Sequence, residues 1–162
     1  MTPPAPRVLV ATATTAGDLE AVRALMLEYQ ASLGVDLAYQ HFADEIASLA
    51  AVYGPPQGAL YLATLDDAPV GCVGVRPFTP EPGCCEMKRL YVAPGARGHG
   101  LGRRLALQSM EAARALGYTR MRLDTLPSMQ GAQALYGALG FCEIPPYRHS
   151  PVAGTLFLEA AL

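Results

Sequence analysis

Four glycines fall within eight residues, Gly95–Gly102, between an apolar run that ends at Val92-Ala93 and an amphipathic run that follows. Neither a helix nor a strand interior carries that density of glycine, because glycine loses the most backbone freedom on ordering and packs no side chain. The segment therefore breaks the chain between two elements. Cys84–Ala93 reads as a strand, and Pro94-Gly95 ends it. A helix runs from about Gly98 to Leu116, with Leu101, Leu105, Ala112 and Leu116 on one face and Gly117 just past its end. Arg97, Arg103 and Arg104 flank the turn. The first turn of a helix leaves N–H groups unpaired and carries partial positive charge. Glycines let a bulky anion approach those groups, so the segment is built as a phosphate or pyrophosphate site. Packing alone would explain one glycine at the turn, not four beside three arginines.

The rest of the chain sets limits around that site. With 51% hydrophobic and 16% charged residues over 162 positions, the chain is globular and long enough for one domain with a substantial core. A net charge of −2 offers no basic face to nucleic acid or an anionic membrane. The first seven residues, Met-Thr-Pro-Pro-Ala-Pro-Arg, do not read as a signal peptide, and no apolar run reaches membrane-spanning length. The expected compartment is the cytoplasm. Cys72, Cys84, Cys85 and Cys142 lack C-x-x-C spacing and read as reduced, apolar thiols. His41, His99 and His149 have no metal-ligand spacing, and no metal is expected.

Along the chain, Arg7–Ala13 reads as a strand and Thr15 with Asp18 as a capping box. The box opens a helix patterned by Leu19, Val22, Leu25, Met26, Tyr29 and Leu33, with Gly34 as its stop. A second helix covers about Phe42–Ala51. Ala59–Thr64 and Val70–Arg76 form a hairpin around Asp66-Asp67, Arg120–Thr125 is a strand, and Pro127-Ser128 opens another helix ending near Gly140. Phe141–Ile144 and Thr155–Ala160 are the last strands. The order is β-α-α-β-β-β-α-β-α-β-β, with no repeat or long linker, so residues 1–162 form one α/β domain.

Several phosphate ligands remain in view. No G-x-x-x-x-G-K-[ST] is present, which excludes a P-loop. G-x-G-x-x-G fails in register, since Arg103 or Leu105 stands at its third glycine. Asp124 does end the following strand where a ribose-binding acid would sit, which keeps a nicotinamide-dependent oxidoreductase as a third reading.

Cys85–Leu105, with its Arg97-Gly98-His99-Gly100-Leu101-Gly102-Arg103 core, resembles the acyl-CoA-binding strand–loop–helix of the GNAT superfamily of N-acetyltransferases. Gly98 and Gly100 match the two small positions of that family's [QR]-x-x-G-x-[GA] pattern, while Gly95 stands where Gln or Arg is usual. Ala132-Gln-Ala-Leu135-Tyr136-Gly-Ala-Leu-Gly140-Phe141 resembles the family's A-x-x-L-Y-x-x-x-G-F block, with Met129 where Asn is common. The resemblance spans about residues 84–144.

The resemblance implies a single-domain GNAT fold, a mixed, mostly antiparallel sheet flanked by about four helices. It implies acetyl-CoA as the acyl donor. Leu90, Tyr91 and Val92 would hold the pantetheine arm and thioester carbonyl, and the amides of Arg97, Gly98, His99, Gly100, Leu101, Gly102 and Arg103 the pyrophosphate. Tyr136 is the candidate general acid for the leaving thiolate. Glu86 is the candidate base, directly or through water, or else only a solvated acid at a strand edge, with no dedicated base. Tyr29, Tyr39, His41, Phe42, Asp44, Tyr53 and Tyr147 are candidates for lining the acceptor pocket, and Asp44-Glu45 either attract a cationic amine or form a solvated face. The expected reaction is direct attack by the amine of a small molecule or peptide in a ternary complex. A catalytically silent acyl-CoA-binding module is the alternative. A homodimer would cover the free sheet edges.

Overall fold

The computed structural model describes residues 1–162. Seven strands form one sheet: β1 (Val8–Thr12), β2 (Ala59–Leu65), β3 (Ala68–Pro77), β4 (Cys84–Val92), β5 (Arg120–Thr125), β6 (Cys142–Ile144) and β7 (Leu156–Ala161). Their order is β1-β2-β3-β4-β5-β7-β6, antiparallel throughout except where β4 and β5 run parallel. Five helices accompany them: α1 (Ala16–Leu33), α2 (Phe42–Ala47), α3 (Leu49–Tyr53), α4 (Leu101–Ala115) and α5 (Gln130–Ala138). The chain is thus the single α/β domain expected, with five helices instead of four.

Local chemistry places the ends of these elements. The Thr15 hydroxyl accepts from the Asp18 amide, and the Asp18 carboxylate accepts from the Thr15 amide, both at 3.1 Å, so the capping box opens α1. Gly34 ends that helix at φ 63. Asp66 and Asp67 both turn left-handed, at φ 49 and 66, to close the β2–β3 hairpin.

The expected helix over Phe42–Ala51 is instead two short ones, broken at Ser48 (φ −133) and preceded by a 3₁₀ turn over Leu37–Gln40. Eight residues of continuous helix would set Glu45 and Tyr53 about 12 Å apart along the axis. The break folds Tyr53 back so that its hydroxyl donates to the Glu45 carboxylate at 2.7 Å. A buried ion pair described below outweighs helical periodicity here. The α4 helix also begins at Leu101, not Gly98, because Gly98 and Gly100 take left-handed φ values of 89 and 71.

The sheet divides the core in two. One face packs Val73, Val75, Cys85, Met87, Met121 and Leu123 against α4 and α5. The other packs Leu60, Leu62, Cys72 and Tyr91 against α1, α2 and α3. Cys72, Cys84 and Cys85 are buried free thiols, and Cys142 is exposed. No helix is long and apolar enough to cross a membrane.

The join between β4 and β5 is what makes room for a site. The two strands pair only over Cys84–Glu86, opposite Arg120–Arg122. Next along β4, Cys72 pairs with Tyr91 but Gly74 with Lys88, so Arg89 and Leu90 stand opposite the single residue Val73. This bulge bends the strand, and Arg89 sits in it at φ 59, a left-handed value that a long side chain seldom takes. Such strain persists only where the surroundings hold it. Beyond Glu86 the strands part, and a crevice opens between them.

Candidate active site

On the α4–α5 side the crevice leads into a cavity of about 660 Å³. Its wall is the end of β4 (Leu90, Tyr91, Val92), the turn residues Arg97, Gly98 and Gly100, and Leu101 and Gly102 of α4. The first turn of α4 has no side-chain cap. None of the amides from Gly98 to Arg103 donates to an acceptor in the protein. A Cβ added at Gly98 or Gly100 would meet no atom within 4 Å, so open space stands before those amides. The result is a cradle of unused donors at the positive end of a fifteen-residue helix.

Eight of the ten residues expected to hold the donor therefore border one cavity. His99 and Arg103 do not border it. His99 is exposed, with its Nδ1 3.1 Å from the Ala96 carbonyl, and Arg103 is exposed on α4. The Arg97 Nε donates to the Val92 carbonyl at 3.2 Å, which ties the turn back to the strand. The sequence assigned no site role to Ser32 and Leu33 of α1, or to Ser128, Gln130 and Gly131 at the start of α5, which also line the cavity. Met129, where Asn is common in the family, borders the cavity too, and Gly95 does not.

Tyr29, Leu90 and Met129 border both this cavity and a small crevice between β4 and β5, so the two are continuous. Tyr136 of α5 also borders the crevice. Burial, with Tyr29 and Asp124 nearby, pushes the Tyr136 hydroxyl well above the ordinary tyrosine value, so it keeps its proton at neutral pH. Its ring packs edge-on against Phe141 with centroids 5.7 Å apart, which explains the Tyr-x-x-x-Gly-Phe spacing.

Glu86 is only 2% exposed, so it is not a solvated acid at a strand edge. Arg148 donates to its Oε2 at 2.6 Å, Arg76 to its Oε1 at 3.3 Å and Tyr147 to its Oε2 at 3.4 Å. Burial alone would raise its carboxyl, but Lys88, Arg148 and Arg76 outweigh that and hold it below the ordinary range. Glu86 is thus a fixed carboxylate.

Around it lies a network that spans distant parts of the chain. Arg89, in the bulge, donates through two nitrogens to Glu45 at 2.9 Å each and sits 5.0 Å from the centre of the Phe42 ring. This fork explains how the strained backbone is held. Gln40 accepts from Arg89 (2.8 Å) and Lys88 (3.1 Å) and donates to Asp124 (3.3 Å). Arg148 reaches Asp124 at 3.5 Å. Asp124 is therefore held inside this network and not free for a ribose. Desolvation and the adjacent Arg89 charge push the Lys88 amine down to about 7, against the pull of Asp124 and Glu86.

Of the residues expected around the acceptor, Tyr29 borders the crevice, Tyr39 contacts Gln40 (3.2 Å) and Tyr147 contacts Glu86. Phe42 and Tyr53 are fully buried in the core, and His41 and Asp44 face solvent. Glu45 is neither a solvated acid nor open to an amine, because Arg89 and Tyr53 already hold it. Gln40, Lys88, Arg89 and Arg148 carried no signal in the sequence beyond being polar. Only the Lys88 place on the Glu86 face of β4 was readable.

The acetyltransferase (GNAT) family model matches residues 20–141. An uncharacterised N-acetyltransferase of Schizosaccharomyces pombe is 41% identical over 143 residues, covering 88% of this chain and 87% of that one. The crystal structure of an acetyltransferase from Streptococcus agalactiae superimposes with a TM-score of 0.78 at 22% identity, over 96% of this chain and 98% of that one. The PaiA N-acetyltransferase of Thermoplasma acidophilum, solved in complex with coenzyme A, gives 0.69 at 14% identity, over 96% and 99%.

Proposed function

The chain belongs to the GNAT acetyltransferase family, whose members transfer acyl groups from acyl-CoA to amines, and on that premise we propose that it moves acetyl from acetyl-CoA to the amine of a small molecule or peptide by direct attack within a ternary complex. The observation that carries this reading is the run of unused amides from Gly98 to Arg103, at the mouth of a cavity that continues to the parted strands. Bound acetyl-CoA supplies an acyl group activated as a thioester.

The chain's own residues divide the work. The Gly98–Arg103 amides bind the pyrophosphate, as expected of an uncapped helix start with open space before it. The β4 edge from Leu90 to Val92, no longer paired with β5, offers backbone groups to an extended arm and a donor to a developing oxyanion. Tyr136 donates a proton to the departing thiolate, and its raised pKa keeps that proton available until a strong base forms beside it. Glu86, kept ionised by Arg148 and Arg76, lines neither the cavity nor the crevice, so it receives the proton of the attacking amine through water.

The test is free-thiol release from acetyl-CoA across a broad panel of amines. The expected result is saturable release only when an amine is supplied. Coenzyme A binding with no release on any amine would overturn the reading.

A further inference from the structure

Four cations and three carboxylates form one network, of which Lys88, Arg89 and Asp124 border the crevice. The carboxylates are Glu45, Glu86 and Asp124, and each already has an arginine within 4 Å: Arg89, Arg148 with Arg76, and Arg148. The cations are Arg76, Arg89, Arg148 and Lys88. The three arginines each lie within 4 Å of a carboxylate, and Lys88 does not. The Lys88 side chain makes one hydrogen bond, to Gln40. Lys88 is nevertheless only 3% exposed, and it borders the crevice. An ammonium has three N–H donors, so two here are unused.

This imbalance has a consequence for what can enter. A buried ammonium with no carboxylate in contact is costly, which is why Lys88 sheds its proton near pH 7, and an incoming anion would favour its charged form. Inside this network a second cation on the acceptor would meet no free carboxylate, because arginines hold Glu45, Glu86 and Asp124. With one cation lacking a carboxylate in contact, the crevice suits a single negative charge better than a doubly charged phosphate.

Resting on the acetyl-transfer reading above, we infer that the acceptor is an amine that bears its own carboxylate, as an amino acid does, and that Lys88 receives that carboxylate. Polyamines and aminoglycosides are then poor acceptors. Lys88 binds the acceptor in this arrangement, and Glu86 and Asp124 fix the fork of Arg148.

The experiment measures thiol release from acetyl-CoA by the wild-type protein with the common amino acids, each against its α-amide, and with putrescine. One charge-assisted contact in a buried site predicts that the best free acid exceeds its amide in kcat/KM by about 10- to 100-fold. Amides or putrescine that match or exceed the acids would overturn the inference and leave acetyl transfer standing. No release with any amine would overturn both. Lys88→Met fills the same space without charge and should bring the acid-to-amide ratio to about parity, mainly through KM for the acid. Retained coenzyme A affinity, read by calorimetry, shows that this variant is folded. An unchanged ratio in that folded variant would overturn the role of Lys88.

Discussion

The two sides of the crevice are made in different ways. The donor side is backbone: unused amides, left-handed glycines and a strand edge released by a bulge. The acceptor side is side chains: Gln40, Glu45, Glu86, Lys88, Asp124 and Arg148 come from two strands, a 3₁₀ turn, a short helix and a loop. A backbone site needs few residue types at fixed spacing, so it leaves a motif. A side-chain site needs only partners that meet in space, so it leaves none. The donor side should therefore be sensitive to added bulk and the acceptor side to lost charge.

The largest effect expected tests the acceptor side. Glu45 and Arg89 are both buried, and Glu45→Ala leaves the Arg89 guanidinium without its fork. Breaking a buried pair by removing one partner costs about 3–5 kcal/mol. Urea unfolding should show a loss of that size, and a loss below about 1 kcal/mol would mean that the pair does not hold the bulge.

Next comes the junction of the two sides. Tyr136→Phe removes the proposed acid but keeps the ring on Phe141, so turnover should fall about 100-fold with coenzyme A affinity nearly unchanged. Steady-state kinetics with calorimetry reads both, and unaltered turnover would remove Tyr136 from the chemistry.

On the donor side, Gly100→Val puts a branched side chain at φ 71 in front of the amides. Coenzyme A affinity should weaken by about 10-fold or more, since a β-branched residue resists that conformation and its bulk fills the cradle. Equal affinity would show that the phosphates bind elsewhere.

A separate effect is a slope with pH. The folded Lys88 amine titrates near 7 and the unfolded one near 10.4. Between those values the unfolded chain holds a proton that the folded chain has released, so this group makes stability rise with pH. Compared with Lys88→Met, the wild type should gain stability from pH 7 to pH 9. Parallel unfolding curves across that range would mean that Lys88 is not desolvated in solution.

Most of the fold was readable because its signals are local. The Thr15–Asp18 box, the Asp66-Asp67 turn and the stripe on α4 are each set within a few residues. The error at Phe42–Ala51 has the opposite origin. That segment breaks so that Glu45 and Tyr53 can meet each other and Arg89, a partner 44 residues away in the chain. Periodicity carries no trace of such a contact. For the same reason Gly98–Gly102 stood out in the sequence, whereas Lys88 became informative only once the charges around it had been located.

A titration of the ¹⁵N-labelled protein with coenzyme A tests directly where the donor binds. The amides from Gly98 to Arg103 are predicted to shift together and saturate at one affinity. Saturable binding that leaves those six amides unmoved, and shifts another part of the surface, would contradict this placement.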